Sequence, residues 1–276
     1  VFNADSGKAK PASSNSHFSN EHFSNEHSSS GHSSSEHSSG KSGTESRALS
    51  GRKIVIAIDG PAGSGKSTLA ALLARKYGYV NIESGAMYRA LALKAIETSA
   101  SLDDGPALAA LAQASQIELQ PRPEGNRVLL AARDVTERIR QKDVTDAASK
   151  VSVHPPVREW MVDHQRAMGT DGGIVMEGRD IGTKVFPNAE VKIFLDADPE
   201  IRGNRRFQQH PALSEKEAAV VTELRERDHR DRTRATSPLE PAVDAVHIDS
   251  THLTLEQVTE RAIEIVDAKL AEIASR

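Results

Sequence analysis

From residue 53 onward, short apolar runs alternate with stretches of helical spacing. Lys53–Asp59 (KIVIAID) is an unbroken β-branched run, the pattern of a strand covered on both faces. Gly60–Gly65 supplies a turn. Lys66–Tyr77 then sets Leu69, Leu72, Leu73 and Lys76 on neighbouring turns of a helix, and Gly78 predicts its end. Tyr79–Glu83 predicts a second strand and Ala86–Thr98 a second helix. Further along, Gly173–Met176, Val191–Leu195 and Ala245–Ile248 read as strands. Asp198–Gln208, Ser214–Arg232 and Leu253–Ile273 read as helices. Five short apolar strands separated by helices predict an α/β fold, a parallel five-stranded sheet with helices on both faces.

Residues 99–150 break the alternation. Asp103–Ala114 predicts a helix, and Ile117–Gln120 and Asn126–Asp134 predict short strands around the turn cluster Pro121–Gly125. This stretch reads as an inserted subdomain. Pro155–Met168 follows as a helix opened by two prolines, which its first turn tolerates.

Residues 1–50 have another character. Seventeen of them are serine and nine are hydrophobic, and His17, His22, His27, His32 and His37 recur every five residues. Such a segment buries too little apolar area to offset its ordering entropy, so it reads as a disordered tail before a folded domain at 51–276. Neutral imidazoles are common metal ligands, so a metal-binding tail stands beside a plain linker or tag. The segment lacks the apolar core of a secretory signal, and one arginine with several acids does not make a transit peptide.

Composition narrows the function. The chain has no cysteine, which excludes disulfides, thiolate zinc sites and thiol catalysis, and a reducing cytoplasmic location is expected. A net charge of −4 argues against a broad nucleic-acid surface, and no apolar run approaches the ~20 residues of a membrane helix. No partner beyond small molecules is expected, and the chain is expected to be a monomer.

The clearest chemistry is Gly60-Pro61-Ala62-Gly63-Ser64-Gly65-Lys66-Ser67, a G-x-x-x-x-G-K-[ST] loop between a strand and a helix. Its glycines let backbone N–H groups curl around phosphate oxygens, and the helix start directs further amides and a positive dipole end at the same anion. Lys66 would reach the β- and γ-phosphates of ATP, and Ser67 would ligate Mg²⁺. A chance glycine-rich turn is the bland alternative. A dinucleotide site is another, since Glu83 lies twenty residues after Gly63, but Thr68 stands where that pattern needs its third glycine.

A phosphate loop does not name an acceptor, and no Asn-Lys-x-Asp guanine-reading stretch occurs. Arg227, Arg230, Asp231 and Arg234 share one helix face, as a forked phosphate clamp or as a solvated, salt-bridged surface. The charge pattern of Glu223–Arg234 alone, five basic against four acidic residues, leans to the solvated surface. Gly178-Arg179-Asp180 and Glu83-Ser84 with Arg89 each follow a strand, where ligands bind in open α/β sheets. Three arginine sites at strand ends near the loop favour phosphoryl transfer to a phosphorylated acceptor.

The runs IDGPAGSGKST, SGAMYRALAL, AASKVSVHPPVRE, EGRDIGTKVFPNAEVKIFLDA and RERDHRDRTRATSPLEPA resemble the bacterial-type cytidylate kinase family from about Lys53 to near the C-terminus. The resemblance implies a P-loop NTPase-type core, a nucleoside-monophosphate-binding insertion near 99–150 and a lid near 202–214. It implies ATP and Mg²⁺ at Gly60, Gly63, Ser64, Gly65, Lys66, Ser67 and Thr68. It implies CMP or dCMP as acceptor, with Ser149, Arg158 and Asp180 reading cytosine. Arg89, Arg179 and Arg234, with Ser84 close by, would take the acceptor phosphate, and Arg227 and Asp231 the sugar. Arg202, Arg205 and Arg206 would neutralise charge from the lid beside the catalytic Lys66. Glu83 departs from the family, where Asp is common before Ser-Gly. The rivals are a nucleotide-binding regulatory module without turnover and a UMP/CMP, adenylate or shikimate kinase.

Overall fold

The structure, a computed structural model, describes residues 53–122, 125–209 and 217–276. The histidine-serine tail and the expected lid's residues 210–214 lie outside the described residues. In chain order the elements are β1 (Val55–Asp59), α1 (Lys66–Tyr77), β2 (Val80–Glu83), α2 (Ser84–Glu97), α3 (Gly105–Ala114), β3 (Ile117–Arg122), β4 (Gly125–Leu130) and β5 (Arg133–Asp134). There follow α4 (Lys142–Val151), α5 (Pro155–Met168), β6 (Ile174–Gly178), β7 (Val191–Asp196), α6 (Pro199–Gln209), α7 (Glu217–Thr233), β8 (Val246–Asp249) and α8 (Leu255–Ala274).

Five strands form the parallel sheet, in the order β2-β6-β1-β7-β8. The middle strand, β1, is the first apolar run of the folded part. Its side chains alternate between two cores, as a pleated strand requires. Ile54, Ile56 and Ile58 pack with Leu69 and Leu73 of α1 and Val258, Ala262 and Val266 of α8. On the other face, Ala57 packs with Met176 of β6 and with Ile181 and Val185, and Val162 of α5 covers them. Each fully buried isoleucine contributes about 1.5–3 kcal/mol, so both faces have to be covered. Residues 181–185 form a wide helical turn that the apolar pattern does not announce.

Residues 99–150 form α3, an antiparallel sheet β3-β4-β5 and α4. They do not enclose a core by themselves. Leu108, Val128, Leu130 and Val144 share one cluster with Met87 and Leu91 of α2 and Val157 and Met161 of α5. The single strand expected over 126–134 is instead a hairpin. It turns at Ala131 and Ala132, whose φ angles of 49° and 62° are both positive. Two-residue hairpin turns need that geometry and usually recruit Asn-Gly, so an Ala-Ala pair hides the turn.

One side chain joins the two sheets. Asn126 of β4 is buried, accepts from the Glu83 N–H at 2.8 Å and donates to the Asn81 carbonyl at 2.7 Å. Its amide thus bonds the outer edge of β2 as the backbone of another strand would. No helix among the described residues is long and apolar enough to cross a membrane.

Candidate active site

The strands β1, β2 and β6 end on one side of the sheet, and the loop at 60–65 begins where β1 stops. Gly60 has φ 149°, and a Cβ there would sit 2.0 Å from the Leu195 carbonyl oxygen. Gly63 has φ 77°, and a Cβ would lie 3.0 Å from the Arg202 carbonyl oxygen. The loop therefore passes too close to β7 and α6 to carry side chains at these positions. Gly65 caps α1 in the left-handed region, and α1 opens at Lys66.

The Lys66 ammonium is buried and donates to the Pro61 carbonyl at 2.6 Å and to Ser64 Oγ at 3.3 Å. Burial and the nearby Arg179 guanidinium pull it down to about 7, against the pull of Glu177 and Asp59. A polyphosphate would reverse that balance. Ser67 Oγ donates to the Glu177 carboxylate. Burial, with Glu83 nearby, raises the Glu177 pKa. A hydroxyl and a carboxylate beside a phosphate cradle are hard oxygen donors that fit Mg²⁺. Thr68 is exposed and is not among the residues that line the cleft.

Beside the loop opens a cleft with a cavity volume of about 180 Å³. Ser84, Arg89, Ser149, Arg158, Arg179, Asp180, Arg227, Asp231 and Arg234 all line it, brought together from α2, α4, α5, the loop after β6 and α7 with the residue following it. Seven cationic side chains face four carboxylates there, so the cleft is positive. Arg158 binds Asp180 at 2.5 Å and the Ser152 carbonyl at 3.0 Å, with its guanidinium over the Tyr88 ring at 5.5 Å. Arg179 donates to Asp231 at 3.0 Å, and Arg234 lies 3.5 Å from the same carboxylate. These cations hold the Asp231 carboxyl below its usual range.

Arg89 pairs with Glu83 at 2.5 Å and Arg234 donates to the Ser237 carbonyl at 2.6 Å, yet each keeps a nitrogen without a hydrogen-bond partner. Arg234 Nη2 and Arg89 Nε are buried without a hydrogen bond. Burial, with Arg179, Arg89 and Arg206 nearby, pushes Arg227 down to about 10. Guanidiniums crowded with unmet donors are a site for an anion. Of the four residues expected to share a helix face at 227–234, three converge on the cleft. Arg227, Asp231 and Arg234 point into the cleft, while Arg230 turns to Ser149 Oγ at 3.2 Å.

The three arginines of α6 diverge. Arg206 lines the cleft. Arg202 is buried away from the cleft wall; it donates to the Ala197 carbonyl at 2.8 Å and the Ala62 carbonyl at 3.0 Å, and pairs with Asp228 at 2.5 Å. Arg205 also lies off the wall, bonded to the Ser250 hydroxyl and carbonyl at 3.0 and 2.7 Å. Sequence reasoning passed over Glu177, Tyr88 and Ser152, which also line the cleft. Glu177 carried a signal, an acid inside a buried run at the end of a central strand.

Main-chain donors for a polyphosphate, with a cationic cleft for a second anion beside them, define a P-loop phosphotransferase. Residues 56–268 match the family model described as Cytidylate kinase. A cytidylate kinase of Geobacillus thermodenitrificans is 49% identical over 224 residues, 79% of this chain and 99% of that protein. One from Pelotomaculum thermopropionicum is 50% identical over 216 residues, 77% of this chain and 96% of that one. One from Pasteurella multocida is 44% identical over 220 residues, 79% of this chain and 97% of its own. The chain belongs to the cytidylate kinase family.

Proposed function

We propose that the protein transfers the γ-phosphoryl group of ATP to the phosphate of CMP or dCMP, giving ADP and CDP or dCDP. One observation carries this reading: nine polar side chains spread from Ser84 to Arg234 line a single positive cleft that opens at the phosphate loop.

The backbone amides of 60–66 and the Lys66 ammonium hold the donor's phosphates. Ser67, hydrogen-bonded to Glu177, would hold Mg²⁺, which would supply charge neutralisation. Arg89, Arg179 and Arg234 take the acceptor phosphate; Arg89 Nε and Arg234 Nη2 are buried with no hydrogen-bond partner in the protein. The acceptor oxygen is already anionic, so no strong base is needed; alignment and neutralisation carry the catalysis. Of the α6 arginines, Arg206 stands nearest this role, because Arg202 and Arg205 are committed to backbone and side-chain partners elsewhere. Residues 202–214 act as the lid, and excluding water there protects ATP from hydrolysis.

Arg158 and Asp180 read the base. Cytosine offers an exocyclic amine beside a ring acceptor, and the paired carboxylate and guanidinium offer the complement. Uracil reverses donor and acceptor and would set its O4 against the carboxylate. Arg227 and Asp231 hold the sugar. We take the protein to act as a monomer in the cytoplasm, where its nucleotide substrates are used.

A coupled ADP-release assay with ATP and a panel of CMP, dCMP, UMP, AMP and shikimate tests the proposal. CMP and dCMP are expected to give the highest kcat/KM. Preference for AMP or shikimate, or no turnover with any acceptor, would overturn it.

A further inference from the structure

Asp59 ends β1, directly before the phosphate loop, and is almost wholly buried. It lines no part of the cleft. Its two carboxylate oxygens accept from consecutive amides across the sheet, the Ile181 N–H at 2.8 Å and the Gly182 N–H at 2.7 Å. Burial drives this carboxyl up to about 7 although both amides pull it down, with Asp180 and Lys66 acting in opposite directions. A buried carboxylate is costly, and a neutral side chain would satisfy fewer of these donors.

We propose that Asp59 is a positioning residue for the acceptor: its carboxylate anchors the backbone of Ile181 and Gly182 and so fixes Arg179 and Asp180 in the cleft. The proposal rests on the reading of those two residues as acceptor contacts. Their segment is held at both ends. On one side Gly178 is paired in register with Asp59 itself, and the Gly178 carbonyl accepts from Arg179 Nη1 at 3.1 Å. On the other side stand the two anchored amides. Between these points lie only Arg179 and Asp180, and both side chains line the cleft. One residue thus ties the donor loop, which begins at Gly60, to the acceptor-reading loop more than a hundred residues later.

Asp59→Asn is the direct test. Asparagine keeps one acceptor but sets an NH₂ group against an amide N–H, which releases one anchor. KM for CMP is expected to rise about tenfold and the CMP-over-UMP ratio in kcat/KM to fall about threefold or more. KM for ATP should stay within about twofold, since the phosphate loop keeps its own contacts. An unchanged CMP KM and ratio, or an equal rise in the ATP KM, would overturn the proposal. A merely structural Asp59 would lower the melting temperature and leave the ratio alone.

Amide hydrogen exchange on the unmodified protein gives a second reading that does not depend on the variant folding. The Ile181 and Gly182 amides should exchange as slowly as the β1 amides, and exchange at loop rates would overturn the anchoring. Failure of the unmodified protein to phosphorylate CMP would count against the acceptor reading, while the exchange result would still judge the anchor.

Discussion

The donor and acceptor halves of the site are built in opposite ways. The donor cradle comes from consecutive residues, 60–67, and works through main-chain amides and one lysine. The acceptor cleft comes from side chains spread over α2, α4, α5, the loop after β6 and α7, and works through paired and unpaired charges. A backbone-built site depends on conformation, so it tolerates little at its glycines and is indifferent to the side chains facing water. A side-chain-built site depends on the packing that converges its elements, and single changes alter its selectivity.

The largest contrast should come from Lys66→Ala. Turnover is expected to fall about 10³-fold, from lost charge stabilisation, with a melting temperature equal to or above that of the unmodified protein because a buried ammonium is gone. A parallel loss of stability would mean that Lys66 holds the loop rather than the phosphates. Next, Arg206→Ala should lower kcat about 10²-fold and Arg205→Ala less than about fivefold. The reverse order, in the same coupled assay, would move the neutralising role off the cleft wall. Arg227→Met should act in two directions: KM for CMP up about tenfold, and the ligand-free protein more stable by about 1 kcal/mol as like-charge crowding is relieved. A melting curve that shifts downward would show that Arg227 is a structural cation.

The smallest effect is a proton count. With Lys66 lowered to about 7, its amine is mostly neutral at pH 8 and mostly charged at pH 6. A bound triphosphate favours the charged form, so ATP should bind with uptake of up to about one proton at pH 8 and little at pH 6. Calorimetry in buffers of different ionisation enthalpy measures this. Proton release at pH 8 would contradict the sign.

The same division governs what the sequence reveals. The donor loop is legible because its parts are contiguous and its strand and helix flank it. The nine acceptor residues lie far apart in sequence, and charge pattern alone leans to a solvated reading of 223–234. Strand ends and one helix face group seven of them, and only resemblance to a family adds Ser149 and Arg158. Helix α4 had a signal that went unread: Val144, Ala147, Ala148 and Val151 fall on one face, and all are buried. The turn at Ala131–Ala132 had none, because alanine does not mark positive φ. Arg202, Arg205 and Arg206 look equivalent in a row of cations. Their fates are set by what faces each turn of α6, the Ala62 carbonyl and Asp228 for one, Ser250 for the next, the cleft for the third.

Asn126 also bears on how the molecule meets its own kind. An edge strand with bare amides and carbonyls invites a neighbour's strand to add, the first step of aggregation and of many strand exchanges. At β2 the outward pair, the Glu83 N–H and the Asn81 carbonyl, is already occupied by a side-chain amide. An incoming strand would have to evict it, so end-to-end growth of the sheet is blocked on that side, and only the four-residue β8 margin is left for it.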